Sequence, residues 1–264
     1  MSLMTFAIDL GPVEVSVSAD VVSHYLWRGK VLGGLALQPC VEVSAYGLTA
    51  GAWANVGGTP YMDYGTNTFN KMEFNPELDV YLSYTTPGDW VSVSVTQFYY
   101  LDGSKYFYYG TDPENSTQTE LHAQIKLAPS YDIYFHWNTY VGGGDLWYSN
   151  DSLSTSKGKL WSSYAAFTGS FELPHDIAID AEIGFSPYRS QYTYTSADGS
   201  KYAKFAVNNL LVGCQKHWYA GGDSGDLVDL YLQAKVAFNL FDVGYESFAY
   251  GKNFNWMVGF GFAL

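Results

Sequence analysis

No stretch of this chain stays apolar for the ~18 residues that a membrane-crossing helix requires, so a helical membrane protein is excluded. Charge is scarce too: 15% of residues are charged, against about 25% in a typical soluble domain. Most of that charge has one sign, 26 acidic residues against 13 basic ones, for a net −13. Phosphate backbones need basic patches, so nucleic acid is excluded as a partner. Cysteine is nearly absent. Cys40 and Cys214 lie far apart with no metal-ligand spacing, which leaves neither a disulfide framework nor a zinc site. Cys40 shares parity with Gln38 and Glu42, and Cys214 with Leu210 and Val212, so the two point to opposite sides of a wall and no disulfide is expected. The opening Met1–Thr5 has no basic and no apolar segment, so no signal peptide is expected there.

Aromatics are abundant instead, at 18% of the chain, and mean hydropathy is −0.09. Few charges, many aromatics and no long apolar run fit a membrane β-barrel, whose strands hide an apolar face behind alternation. A soluble β-sandwich or a lipocalin-like barrel would share that composition. At 264 residues the chain suits one all-β domain spanning 1–264.

Period-two reading predicts about twelve strands. They are Val13–Arg28, Leu35–Ala45, Leu48–Val56, Glu73–Tyr84, Trp90–Tyr100 and Thr117–Leu127 in the first half. Asp132–Val141, Leu160–Leu173, Ile177–Pro187, Phe205–Trp218, Leu227–Phe238 and Asn253–Leu264 follow. The last is the plainest: Trp256, Val258, Phe260, Phe262 and Leu264 alternate with Asn255, Met257, Gly259, Gly261 and Ala263. So apolar an edge invites aggregation unless it closes a barrel by pairing with the first strand.

Connections sort by length. Tyr46-Gly47, Thr85–Asp89, Ala128–Tyr131 and Pro174–Asp176 are turns of about two to five residues. Gly57–Met72, Leu101–Ser116, Gly142–Lys159 and Tyr188–Lys204 are long, while Gly29–Gly34 is a shorter loop on that same side. Short turns on one rim and long loops on the other mark outer-membrane barrels. The expected fold is therefore a transmembrane antiparallel up-and-down β-barrel in a bacterial outer membrane. Its Val, Ile, Leu, Ala and Phe face lipid and lipopolysaccharide, and its polar face encloses a hydrated lumen. Trp27, Trp90, Trp161, Trp218 and Trp256 fall near strand ends, where interfacial aromatic girdles sit.

Three segments carry a family resemblance: Val22-Ser23-His24-Tyr25-Leu26-Trp27-Arg28-Gly29, Gly51-Ala52-Trp53-Ala54-Asn55, and Glu77-Leu78-Asp79-Val80-Tyr81-Leu82-Ser83-Tyr84. In that order they resemble the TorF-type porin family of bacterial outer-membrane barrels, most specifically over the first third of the chain. The chain departs from the common ending of such barrels in closing on Leu264 rather than Phe. The resemblance implies passive transport across an outer membrane.

Carboxylates expected to face the lumen are Glu14, Asp20, Glu42, Glu77, Asp79, Glu120, Glu172, Asp180 and Glu182, against Arg28, Lys126 and Lys235, with His122 and His136 as titratable extras. Asp20, Arg28, Glu42, Glu77, Asp79, Glu120, His122, His136, Asp180 and Glu182 are the pore-lining candidates. Rings of acid side chains favour cations, so the expected activity is a channel for small solutes, weakly cation-selective or open to neutral solutes. The opposing reading is that these groups pair across the lumen and fill it. No catalytic residue, cofactor or metal site is expected. A lipid hydrolase would need a nucleophile and base on the lipid-facing rim, and no histidine sits in such an arrangement. A second alternative is a closed barrel acting through aromatic loops, one carrying Tyr99, Tyr100, Tyr106, Phe107, Tyr108 and Tyr109, the other Tyr188, Tyr192, Tyr194 and Tyr202. Exposed aromatics can stack on ligands or pack over a pore mouth, and packing is the expectation. Asp145, Asn150 and Asp151, and likewise Asp223 and Asp226, are expected to be solvated polar loop groups rather than a cation site.

Overall fold

β-Branched and aromatic residues at alternate positions, with small polar residues between, build strands that can bury only one face. The computed structural model describes residues 8–9, 12–63, 68–74, 76–100, 117–148, 156–193, 203–221, 227–240 and 254–264. Twelve strands form a closed antiparallel ring. They are β1 (Val13–Val22), β2 (Ala36–Ala45), β3 (Leu48–Asp63), β4 (Glu77–Thr85), β5 (Val91–Tyr100) and β6 (Gln118–Lys126). The ring continues through β7 (Asp132–Gly143), β8 (Ser163–Leu173), β9 (Ile177–Ser186), β10 (Ala206–Gly221), β11 (Leu227–Phe238) and β12 (Phe254–Ala263). Each strand pairs with its sequence neighbours, and β12 closes on β1 with Gly259 opposite Val22 and Ala263 opposite Ser18. Closure leaves the ring without an open edge.

The apolar face points outward. Val17, Val21, Leu37, Val41, Leu82, Val95, Leu121, Ile183, Leu232 and Phe260 are all exposed, whereas Asn55, Glu77, Glu120, Asn138 and Gln233 are buried. That inversion of a soluble core suits a wall in contact with hydrocarbon. Trp90 and Trp218 are exposed toward the short-turn rim, Trp161 and Trp256 toward the long-loop rim. Cys214 is exposed and Cys40 half-buried on the other side of the wall, both as free thiols.

Two predicted strands are corrected. The first stops at Val22, not Arg28: Tyr25–Trp27 instead pairs with Lys30–Gly33 as a separate hairpin. Its two-residue tip has φ of 47° at Arg28 and 79° at Gly29. Positive φ at both central residues is what the favoured type I′ hairpin turn needs, and glycine takes it readily. The segment read as the start of the fourth strand is likewise separate. Thr68–Phe74 pairs with the far end of β3, which runs on to Asp63.

Candidate functional site: the barrel interior

Glycines in the wall let tyrosines lie flat and reach carboxylates one strand further on. Tyr81 on β4 faces Gly51 on β3, which faces Glu42 on β2. A Cβ on Gly51 would collide with the Tyr81 ring, and across that gap the Tyr81 hydroxyl donates to Glu42 at 2.5 Å. The same row recurs where the barrel closes: Tyr231 on β11 lies over Gly261 on β12 and hydrogen-bonds Asp20 on β1. Gln233 donates to the same carboxylate at 2.9 Å. On β8, Tyr164 lies over Gly184 and donates to Glu182, which also accepts from Asn209 at 2.9 Å.

Across this interior runs the Tyr25–Gly33 hairpin. Arg28 at its tip donates to both oxygens of Glu120, at 2.7 and 2.8 Å, and to the Tyr192 hydroxyl at 2.6 Å. Its guanidinium carbon stands 4.3 Å from the Trp27 ring centre and 4.8 Å from that of Tyr164. Planar, weakly hydrated guanidinium suits such a site, where it is held by a fork of donors and by aromatic faces. The side chains of Arg28 and Glu120 are only 11% and 7% exposed. Asn255 on β12 donates to the Gly29 carbonyl at 2.8 Å. The backbone of β10 presses so close at Asn208 that a Cβ on Gly29 would strike its carbonyl.

A bulge makes that contact possible. Gly184 faces Asn209 while Phe185 faces Val207, so Asn208 is an extra residue in β10. Asn208 and Asn209 are consequently both buried although they are sequence neighbours. Asn208 donates to the Tyr192 carbonyl at 3.0 Å. Trp27, Phe98, Tyr140, Tyr164 and Tyr192 then form the aromatic cluster packed around the hairpin.

Two further interior acids, Glu77 and Asp79, stand together on β4. Both are buried, as is Tyr25 beside them. His122 and His136 form a hydrogen-bonded file: Ser94 to His122 at 3.4 Å, His122 to His136 at 3.1 Å, His136 to Thr168 at 2.8 Å. With ring centres 5.4 Å apart and planes 12° from parallel, the imidazoles meet end to end. Below the hairpin lies a cavity of about 320 Å³, lined among others by Trp27, Arg28, His136, Asp180 and Lys235. A second cavity of about 280 Å³ shares Asp132 and Asp180 with it and reaches the turn residues His175 and Asp176. The interior is thus a vestibule from the short-turn rim up to Arg28.

All ten pore-lining candidates are on the interior side, but not as a uniform acid ring. Arg28 is not on the wall, since it crosses the lumen to Glu120. Trp27 is corrected: it packs inside beside Arg28 and is no girdle residue. Tyr192, Tyr140, Asn208 and Asn255 are site residues that strand parity did not single out. The Arg28-Gly29 pair between the apolar Tyr25-Leu26-Trp27 and Val31-Leu32 is a legible hairpin signal, whereas nothing local to Asn208 marks its bulge. Asp145 accepts from the Ser162 amide at 2.7 Å and its hydroxyl at 2.5 Å, fastening the β7–β8 loop. Tyr188 lies half on the surface and bonds Ser163 at 2.5 Å. Asn150, Asp151, Asp223, Asp226, Tyr106, Phe107, Tyr108, Tyr109, Tyr194 and Tyr202 lie outside the described residues.

The chain is similar over its whole length to a solved outer membrane channel of the COG4313 group from Pseudomonas putida F1. That likeness covers 100% of this chain and 98% of the channel, with a TM-score of 0.52 and 13% identity. The fold is that of an outer-membrane β-barrel. A major outer membrane protein of Thermus thermophilus is also similar, with 11% identity, a TM-score of 0.24, and coverage of 95% of this chain and 98% of that one. No family model and no curated protein matches the chain.

Proposed function

We propose that this protein is an outer-membrane channel for small hydrophilic solutes, constricted by the Tyr25–Gly33 hairpin and preferring cations over anions. The observation that carries the reading is the polar vestibule running from the short-turn rim to Arg28 inside a wall whose outer face is apolar. Asp132, Asp176, Asp180 and Glu172 line it against Lys235 and Arg28, so its field favours cations. The setting that goes with this reading is one barrel domain in a bacterial outer membrane, with lipid and lipopolysaccharide against the wall. The resemblance to TorF-type porins is in keeping with it, since its first segment carries the first arm and the tip of the hairpin. A lipid-modifying enzyme has less support: His122–His136 and His217–Asp229 face the interior, away from lipid ester bonds.

Planar-bilayer recording on refolded protein tests the channel. Discrete conductance steps are expected, with a reversal potential in a KCl gradient that carries the sign of potassium selectivity. Anion selectivity would overturn the preference. A second reading, a closed barrel acting through its long loops in surface binding or adhesion, draws support from the crossing of the lumen by the hairpin. Absence of steps from wild-type protein across all voltages would favour it.

A further inference from the structure

Lys235 on β11 and Asp180 on β9 stand on either side of Gly213 on β10, in one row across three strands. The arrangement repeats the Tyr81–Gly51–Glu42 and Tyr231–Gly261–Asp20 rows, with one difference. In those rows the outer residues bond each other across the glycine. Here no hydrogen bond or close ion pair joins them: the Lys235 ammonium stands only in the attractive field of Asp180, Asp20 and Glu182. Asp20, Glu42, Glu120 and Glu182 each accept a hydrogen bond from a neighbour, and Glu77 and Asp79 lie together on β4.

Both charges line the cavity of about 320 Å³ beneath Arg28, a volume at the small end of those that hold ligands. A Cβ on Gly213 would sit 3.2 Å from Lys235 Cγ and 3.7 Å from an Asp180 carboxylate oxygen, so the two side chains lie side by side over the glycine on the cavity wall. Trp27 and Tyr164 bound the same cavity and supply apolar faces for a short aliphatic chain. A cation alone would leave Lys235 without a hydrogen-bond acceptor, and an anion alone would leave Asp180 without a donor. A molecule carrying both charges matches both.

We propose that the vestibule holds a binding site for a small zwitterion, an amino acid with its carboxylate on Lys235 and its ammonium on Asp180. This rests on the channel reading, in which such a molecule enters from the short-turn side or passes through. Binding is measured apart from conduction, by calorimetric titration of the refolded full chain in detergent with 4-aminobutyrate, glycine, acetate and ethylamine. Each zwitterion is expected to bind at least tenfold more tightly than acetate or ethylamine. Lys235→Met and Asp180→Asn should each remove that advantage. The reciprocal exchange of both, Asp180→Lys with Lys235→Asp, should restore it in protein whose heat-modifiable gel mobility shows a folded barrel. Acetate binding as well as the zwitterions would make this an anion site, ethylamine doing so a cation site, and no binding of any probe no site; each overturns the proposal. Conductance without zwitterion binding leaves the channel reading standing and removes this one. Zwitterion binding without conductance does the reverse.

Discussion

Arg28 and Glu120, 92 residues apart in sequence, meet in a two-pronged contact at 2.7 and 2.8 Å in the middle of the barrel. One sits at the tip of a hairpin between β1 and β2, the other on the wall at β6, so their contact fastens the hairpin across the lumen. Both were candidates to charge the pore. Together they cancel, and the lumenal field is left to the groups below them.

Removing one partner should therefore do two things. Leaving the other charge buried and alone costs roughly 3–5 kcal/mol, so Arg28→Ala and Glu120→Gln should each lower the urea midpoint of unfolding, followed by gel mobility. Freed of its anchor, the hairpin should vacate the lumen, and single-channel conductance should rise several-fold. The double variant, Arg28→Met with Glu120→Met, leaves no lone charge and should recover much of the stability while keeping the conductance gain. Unchanged conductance in all three would show that the hairpin does not set the constriction.

The tyrosine rows make a prediction about their glycines. At Gly51 a methyl group meets the Tyr81 ring, so Gly51→Ala should push Tyr81 off Glu42. Overpacking of this kind costs about 1–3 kcal/mol. Tyr81→Phe removes only the hydroxyl and leaves the Glu42 carboxylate with its longer 3.4 Å contact from Ser16, a loss of about 1–3 kcal/mol by the usual penalty for an unsatisfied group. Because both act on one contact, the double variant should fall well short of the sum. Additive urea midpoints would show that ring and carboxylate are not coupled.

Strand positions and the direction of each face were legible because the side-chain period is two and one parity is predominantly apolar from Val15 to Phe262. The closing pair was legible for the same reason, since an apolar final strand has to be covered. The contents of the lumen were less so. Tyr25 and Trp27 continue the alternation of β1 past Val22, and period two does not say where a strand stops being part of the ring. Arg28 finds Glu120 across the barrel, between segments that are not sheet neighbours, so no local spacing encodes it. At Asn208 a bulge reverses parity, and a reading by alternation puts one of the two asparagines on the wrong side.

Wall and lumen should respond oppositely to the same charge. Val95 is exposed on the outer face of β5, and its neighbour Thr96 points inward opposite Glu120 and Tyr81. Lysine near the bilayer midplane on the lipid side costs roughly 2–4 kcal/mol, so Val95→Lys should fold poorly into vesicles. Thr96→Lys meets carboxylates and should fold almost as the wild type does, while reducing cation selectivity. Equal folding yields would mean the faces are assigned the wrong way round.

The two cysteines probe the same wall without a new charge. Cys214 is exposed on the outer face, whereas Cys40 lies inside with the Tyr81 hydroxyl 3.5 Å from its sulfur. A fluorophore on Cys214 of the Cys40→Ser protein, attached while unfolded, should be quenched by brominated lipid after refolding and be untouched by aqueous iodide. In the Cys214→Ser protein a charged, membrane-impermeant thiol reagent should reach Cys40 through the lumen, slowly, because Tyr81 lies against it. Arg28→Ala should speed modification from the long-loop side if the hairpin is what separates the two halves of the interior. Iodide quenching at Cys214 would place it in water, and a wall with water on its apolar face is not in a membrane.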